Sequence, residues 1–269
     1  MARKKTSSRK KQSPQNPKRR MCGTMGMHFK MLETDPGYRK RRMECESHCQ
    51  DMMLKRMAMP SKPDVIKCVV HVLYRISKEN ISDAQIKSQI DVLNKDFRAA
   101  NADVSKVPDV WKGLVADSMV EFELATKTPT GGSTDGITRT KVEVESFPFD
   151  DSMKSTSTGG VDPWNTKKYL NIWVCTLGDG LLGYAQFPGG PANTDGVVIL
   201  NTAFGTKGSA NAPFNKGRTT THEVGHFLNL FHIWGDVDGC SGSDSNPDTP
   251  NAETAIYCTP SFPHISCAN

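Results

Sequence analysis

The chain has 269 residues, of which 36% are hydrophobic, enough to bury the core of one domain with an extension. No apolar run approaches the about 18 residues of a helical membrane span. Its net charge of +5 is lodged at one end: residues 1–20 hold nine Lys or Arg and no acid, leaving 25 basic against 29 acidic residues elsewhere, which excludes a generally basic surface.

Residues 1–20 are rich in Lys, Arg, Ser, Pro and Gln without apolar periodicity, and disorder is expected there. Such a tail can touch nucleic acid or an acidic surface, or simply lead a solvated pro-region. It carries no stacking aromatics, so nucleic acid is not expected as a partner, and it lacks the apolar stretch of about seven residues that a secretory signal needs. Asp35 and Pro36 suit the N-cap and first position of a helix running to about Arg56. Cys45, His48 and Cys49 fall there at i, i+3 and i+4, either as a second metal set or as an ordinary exposed face. Met43, Met52, Met53, Met57 and Met59 are expected to form a packing face. Basic residues around 55–62, with Pro60 and Pro63, mark chain open to cleavage.

Residues 65–76 alternate as a strand does, and Ser82 precedes a helix whose Ile86, Ile90, Leu93 and Phe97 keep helical spacing. Further strands are predicted at 119–126, 137–144, 169–175, 182–187 and 197–201, separated by polar loops at 128–136, 150–162 and 204–217. Cys68 and Cys175 lie in apolar runs and should be small buried side chains. With a second helix near residue 222, the pattern gives an α+β layered domain.

That second helix carries the chemistry. In His222-Glu223-Val224-Gly225-His226 the two histidines lie one helical turn apart on one face, so both can reach a single metal ion. Glu223 stands beside them as a general base for metal-activated water. His232, six residues past His226, is too far along a continuous helix, so the chain must turn between them, and Asn229 tolerates the positive φ that a turn requires. Three neutral ligands with an open fourth position indicate catalytic zinc. Val224, Phe227, Leu228 and Leu230 supply a buried side, and Thr219, Thr220 and Thr221 are candidate helix-start residues.

The segment 222–236, HEVGHFLNLFHIWGD, resembles the active-site segment of the metzincin metallopeptidases, specifically the pappalysin (pregnancy-associated plasma protein-A-like) group of prokaryotic type. Asn229 stands where the general pattern has Gly. Further matches are LGYAQFP at 182–188, DGVVI at 195–199, Gly239-Cys240 and Asp248-Thr249-Pro250, so the resemblance runs roughly from Cys22 to the last residue.

The resemblance implies a metzincin-like fold: a twisted mixed sheet backed by two helices, the second bearing zinc. It implies a zinc-dependent endopeptidase precursor that is secreted, with a peptide or protein as substrate and neither nucleic acid nor membrane as partner. The domain division expected is 1–20 basic tail, 21–60 pro-segment and 61–269 catalytic domain, the last split into 61–232 and an incomplete lower subdomain, 233–269. Arg20-Met21-Cys22-Gly23-Thr24 resembles the cysteine switch of latent members, in which Cys22 takes the open metal position. By the same likeness Gly183, Tyr184 and Ala185 bind substrate as an added antiparallel strand. Asp236, Asp238, Asp244, Asn246 and Asp248 form an oxygen-rich loop, and Asp244 with Thr249 match a calcium site of the family, an acidic loop without an ion being the alternative. Cys240 is implied to pair with Cys267, leaving Cys258 for a partner beyond the present end. Family members carry a methionine-containing turn beneath the zinc, whereas the last methionine here is Met153. A chain truncated before that turn is expected, with a catalytically silent zinc-binding relic as the alternative to an active enzyme.

Overall fold

A computed structural model describes residues 21–54, 61–247, 249–253 and 266–267. The basic tail, residues 55–60 of the expected cleavage region (Met57 and Met59 among them), Asp248 and Cys258 lie outside the described residues. Among the described residues eleven regular elements follow in order: β1 (Met21–Cys22), α1 (Thr24–Thr34), α2 (Tyr38–Leu54), β2 (Asp64–Tyr74), α3 (Asp83–Phe97), β3 (Val120–Leu124), β4 (Ile137–Lys141), β5 (Leu170–Cys175), β6 (Leu181–Ala185), β7 (Val197–Leu200) and α4 (Arg218–Phe227). Short 3₁₀ turns fill several of the connections.

All seven strands join one mixed sheet, ordered β1-β6-β7-β5-β2-β3, with β4 also pairing β2. Only β6 and β7 are antiparallel; every other pair is parallel. At 11 residues β2 is long enough to pair β3 through Asp64 to Cys68 and β4 through Val70 to Tyr74 along one side. Its other side carries β5.

Period-two alternation divides the core between the two faces of the sheet. Cys68, Val70 and Val72 of β2, Ile172 and Val174 of β5, and Val197 and Ile199 of β7 face one way, where Ile86, Ile90 and Leu93 of α3 and Val224 of α4 meet them. Their neighbours Leu73, Trp173, Cys175, Tyr184 and Val198 face the other way, joined by Phe147 and Met153 and by Met27, Met31 and Tyr38 from the N-terminal segment. Strands covered on both faces need apolar residues at successive positions, and all six residues of β5 are buried. Ser82 caps α3, accepting a hydrogen bond from the Gln85 amide at 3.2 Å.

The N-terminal helices correct the sequence expectation. Asp35 ends α1, and α2 begins at Tyr38 after a turn in which the Gly37 amide donates to Asp35 Oδ1 at 3.0 Å. An Asp-Pro-Gly sequence serves as a turn as readily as a helix start, and here it breaks two helices apart. Met43 and Met52 are exposed, 66% and 38%; the methionines of the N-terminal helices that pack are Met27 and Met31, one turn apart on α1.

Candidate metal centre

Helix α4 begins after Gly217, whose φ of 72° suits a residue without Cβ. No side chain caps it. Thr219, Thr220 and Thr221 therefore lie inside the first turn, where Thr221 Oγ1 donates to Asp96 Oδ2 of α3 at 2.7 Å. At the far end Asn229 adopts φ 78°, its amide donating to His226 O and that of Leu230 to Gly225 O, both at 2.9 Å. This left-handed residue reverses the chain and brings His232 back beside the helix. Leu230 is turned outward, 51% exposed, against the expectation that it packs.

The reversal puts three imidazoles around one point. His222 Nε2 lies 3.1 Å from His226 Nε2 and 3.1 Å from His232 Nε2, and the last two are 3.2 Å apart. The opposite ring nitrogens are committed elsewhere: His226 Nδ1 donates to Leu230 O at 2.6 Å and His232 Nδ1 to Asp236 Oδ1 at 2.8 Å. Both rings thus turn Nε2 lone pairs toward each other, an arrangement that repels unless a cation lies between. In a tetrahedral zinc site with bonds of about 2.0 to 2.1 Å the nitrogens stand about 3.3 to 3.4 Å apart, so the donor set fits the ion in chemistry and in spacing. Burial, and then the neighbouring imidazoles, lower the pKa of His222 to about 3. Burial likewise lowers that of His226 to about 4. Both rings are therefore neutral, as metal ligation requires. Trp234 stacks on His232 at 4.2 Å and fixes its plane.

Glu223 is 1% exposed, and burial raises its carboxyl pKa to about 7. Gly183 of β6 makes room for it: a Cβ there would come within 3.2 Å of Glu223 Cγ and 2.7 Å of Val198 O. A larger residue would clash with the β7 backbone and crowd the Glu223 side chain. A recess of about 310 Å³ opens beside the triad, lined by Thr221, Leu230, Phe231 and Ile233 together with the histidines.

The N-terminal segment closes the other side. Cys22 Sγ and the three histidine nitrogens all lie within 4.8 Å of one another, the one group of three or more such ligands among the described residues. The Cys22 thiol sits 3.4 Å from Glu223 Oε2, and burial, then the Glu223 charge, raise its pKa. Strand β1 pairs with β6 in parallel. The Gly23 amide donates to Gly183 O at 2.9 Å. Thr24 Oγ1 donates to Glu223 Oε2 and accepts from the Ala185 amide, both at 2.8 Å.

Other expected sites are not assembled. Cys45, His48 and Cys49 do not converge as metal ligands, and no His, Cys, Asp or Glu ligands gather around Asp244 among the described residues. Asp244 Oδ1 instead accepts from the Asn246 amide at 2.9 Å. Asp236 leaves the oxygen-rich loop to orient His232. Tyr184 turns its side chain into the core, its hydroxyl donating to Asp151 Oδ1 at 2.9 Å. Cys240 and Cys267 form a disulfide. Sequence reasoning missed α1, the Thr24 hydroxyl and Asp236 as a histidine partner; a carboxylate four residues past a candidate ligand was the available signal for the last.

Residues 155–267 match the peptidase M43 family model described as pregnancy-associated plasma protein-A. The structure is similar to that of Tannerella forsythia mature mirolysin in complex with a cleaved peptide, with 53% identity and TM-score 0.74, covering 76% of this chain and 78% of that one. It is similar also to a mutant of Tannerella forsythia promirolysin, with 49% identity and TM-score 0.77, covering 86% and 76%. An extracellular metalloprotease of Arthroderma otae is 30% identical over 191 residues, 69% of this chain and 58% of that protein, so the chain spans little more than half of the curated relatives it matches. With a HExxH helix, a third histidine returned by a left-handed turn and these similarities, the chain belongs to the pappalysin family of metzincin metallopeptidases.

Proposed function

We propose that this chain is the precursor of a secreted zinc endopeptidase, kept latent by residues 21–60. The observation that carries the reading is the convergence of three imidazoles, with the remaining ring nitrogens of His226 and His232 engaged by Leu230 O and Asp236. His222, His226 and His232 would hold zinc, which when bound polarises the scissile carbonyl and acidifies water. Glu223 takes the proton of the attacking water and passes it to the departing amine as the C–N bond breaks, a role suited to a carboxyl raised to about 7. Gly183 O and the Ala185 amide, on the edge of β6 that β1 covers, would pair with a peptide lying antiparallel once residues 21–60 have left.

In the precursor those groups are taken. Gly23 holds Gly183 O, Thr24 holds Ala185 N and Glu223, and Cys22 is placed to supply the fourth metal ligand. Because β1 runs parallel to β6, its backbone is reversed relative to the expected substrate and is not presented for hydrolysis. Relatives described as extracellular, and a Cys240–Cys267 disulfide of the kind formed in oxidising compartments, support action outside the cell. Calcium at Asp244 and Thr249 has no supporting geometry and forms no part of this reading.

The test is to cleave the chain between α2 and β2 and to measure zinc content and peptide hydrolysis before and after. One zinc per chain and hydrolysis only after cleavage are expected. Glu223→Gln should keep the zinc and lower turnover by about 10² to 10⁴. Full activity in that variant removes Glu223 as the base; zinc without hydrolysis in the cleaved wild type favours a silent zinc-binding chain.

A further inference from the structure

Helix α2 has almost no apolar face. Among its described side chains only Tyr38 and Arg42, one turn apart, are buried. Arg42 is 5% exposed although it is the longer and the charged one. Its Nη1 donates to Pro188 O at 3.0 Å, just past the end of β6, and to Asn229 Oδ1 at 2.6 Å. Its Nη2 donates to Glu46 on the same helix. Asn229 Nδ2 donates in turn to Glu46 Oε1 at 3.2 Å, closing a ring of three side chains. The guanidinium lies 5.0 Å from the Phe187 ring centroid and 5.6 Å from that of Phe231, and Phe187 packs edge-on against His226.

We propose that Arg42 is a second latch on the pro-segment, independent of Cys22 and of the metal, which grips the Asn229 turn between the second and third histidines. The inference rests on reading residues 21–60 as a pro-segment. A planar guanidinium serves two acceptors and a carboxylate in fixed directions while stacking on aromatic faces, which a lysine does not reproduce. Removing one acceptor leaves a buried N–H unpaired. The general metzincin pattern has Gly at the turn, and for the backbone alone Gly would serve at φ 78°. Asn adds the amide that the latch holds. One contact thus reads the turn that sets the metal geometry and releases it when α2 leaves.

Hydrogen exchange on the uncut chain tests this, comparing amides of α2 and β2 in the wild type, Arg42→Met, Arg42→Lys and Asn229→Gly, with and without a chelator. Arg42→Met should speed exchange across residues 38–54 at least about tenfold while β2 stays protected, and Arg42→Lys should not restore the rate. Asn229→Gly, which fits the turn, should give a smaller acceleration confined to the same helix. Chelation should leave α2 protected, since the latch needs no metal. The proposal is overturned if α2 is unprotected in the wild type, if Arg42→Met and Asn229→Gly both exchange at the wild-type rate, or if chelation alone releases α2 as fully as Arg42→Met does. None of these readouts needs peptidase activity, so failure of the latch is distinguishable from failure of the enzymatic reading.

Discussion

Strand β5 and helix α2 sit at opposite ends of the ways in which this chain holds its parts. Every residue of β5 is buried, with neighbours on both sides in the sheet and packed layers on both faces. Only Tyr38 and Arg42 are buried on α2 among its described side chains, and its attachment is mainly a set of directed hydrogen bonds to Pro188 O, Gly189 O and Asn229. Apolar burial is non-directional and shared among many partners, so it is lost only when the domain unfolds. A few buried polar contacts can be undone locally. A segment to be discarded is suited to the second kind of attachment, and a sheet that must survive its departure to the first.

The largest effect should come from attacking β5. Trp173 is fully buried, its indole N–H donating to Val161 O at 2.9 Å. Trp173→Ala should cost about 3 to 5 kcal/mol and lower the urea midpoint of the whole catalytic part, with metal binding lost in the same transition. A variant that loosens only residues near 161 and leaves the global midpoint in place would break the comparison at its rigid end.

Asp236 tests whether the metal centre belongs to the rigid class. Its carboxylate fixes the ring of His232 and leaves Nε2 free to face the other two nitrogens. Removing such an outer partner typically weakens metal binding about 10- to 100-fold. Asp236→Ala should show that loss in competition against a chromophoric chelator, with an unchanged unfolding midpoint in the metal-free chain. Equal metal affinity in variant and wild type would mean that Trp234 stacking alone holds the ring.

Thr24 lies at the seam between the two regimes. Thr24→Val keeps the shape and removes a hydroxyl that serves Glu223 and the Ala185 amide together. About 1 to 3 kcal/mol should be lost from docking of the N-terminal segment, read as faster hydrogen exchange over residues 24–34, and Thr24→Ser should recover most of it. An unchanged rate in Thr24→Val would leave Cys22 and the apolar contacts of Met27 and Met31 as the anchors.

The division between legible and illegible features follows the same line. Strands β2 to β7 show in the sequence because apolar residues fall at consecutive positions where partners lie on both faces, as in β5, and at alternating positions where they lie on one, as in β3. Helix α3 shows through Ser82 and its helical spacing. The histidine triad is legible because its three members fall within 11 residues and the turn joining them needs only a residue such as Asn229. Helix α1 is not, since its two buried methionines form a short stripe without a capping side chain. Thr24 and Arg42 act on residues 199 and 187 positions away, and nothing local distinguishes either from a surface residue. Asp35-Pro36 satisfied the rule for a helix start, yet its carboxylate found the Gly37 amide first.

The smallest effect is a charge set inside the rigid part. Lys154 is 1% exposed, paired with Asp151 at 2.8 Å and donating to Thr194 O at 2.8 Å, with the Tyr184 ring centroid 4.9 Å away. Asp195 stands close enough for Lys154 to favour its ionised form, yet burial outweighs that attraction and raises its pKa from 3.8 to about 6. A carboxyl whose folded pKa lies above its unfolded value binds its proton more tightly in the native state. Its stabilising contribution is therefore complete below pH 3.8 and lost as pH rises through about 6. Asp195→Asn should remove this slope: compared with the wild type, the variant should gain on the order of 1 kcal/mol between pH 4 and pH 7.5, after allowance for the partial exposure of the group. Taking the difference between the two proteins cancels the opposite trend from carboxylates such as Asp117, whose pKa is lowered by Arg98. Equal pH dependence in the two proteins would mean that Lys154 compensates Asp195 fully, and that even this buried charge is held as tightly as the apolar core around it.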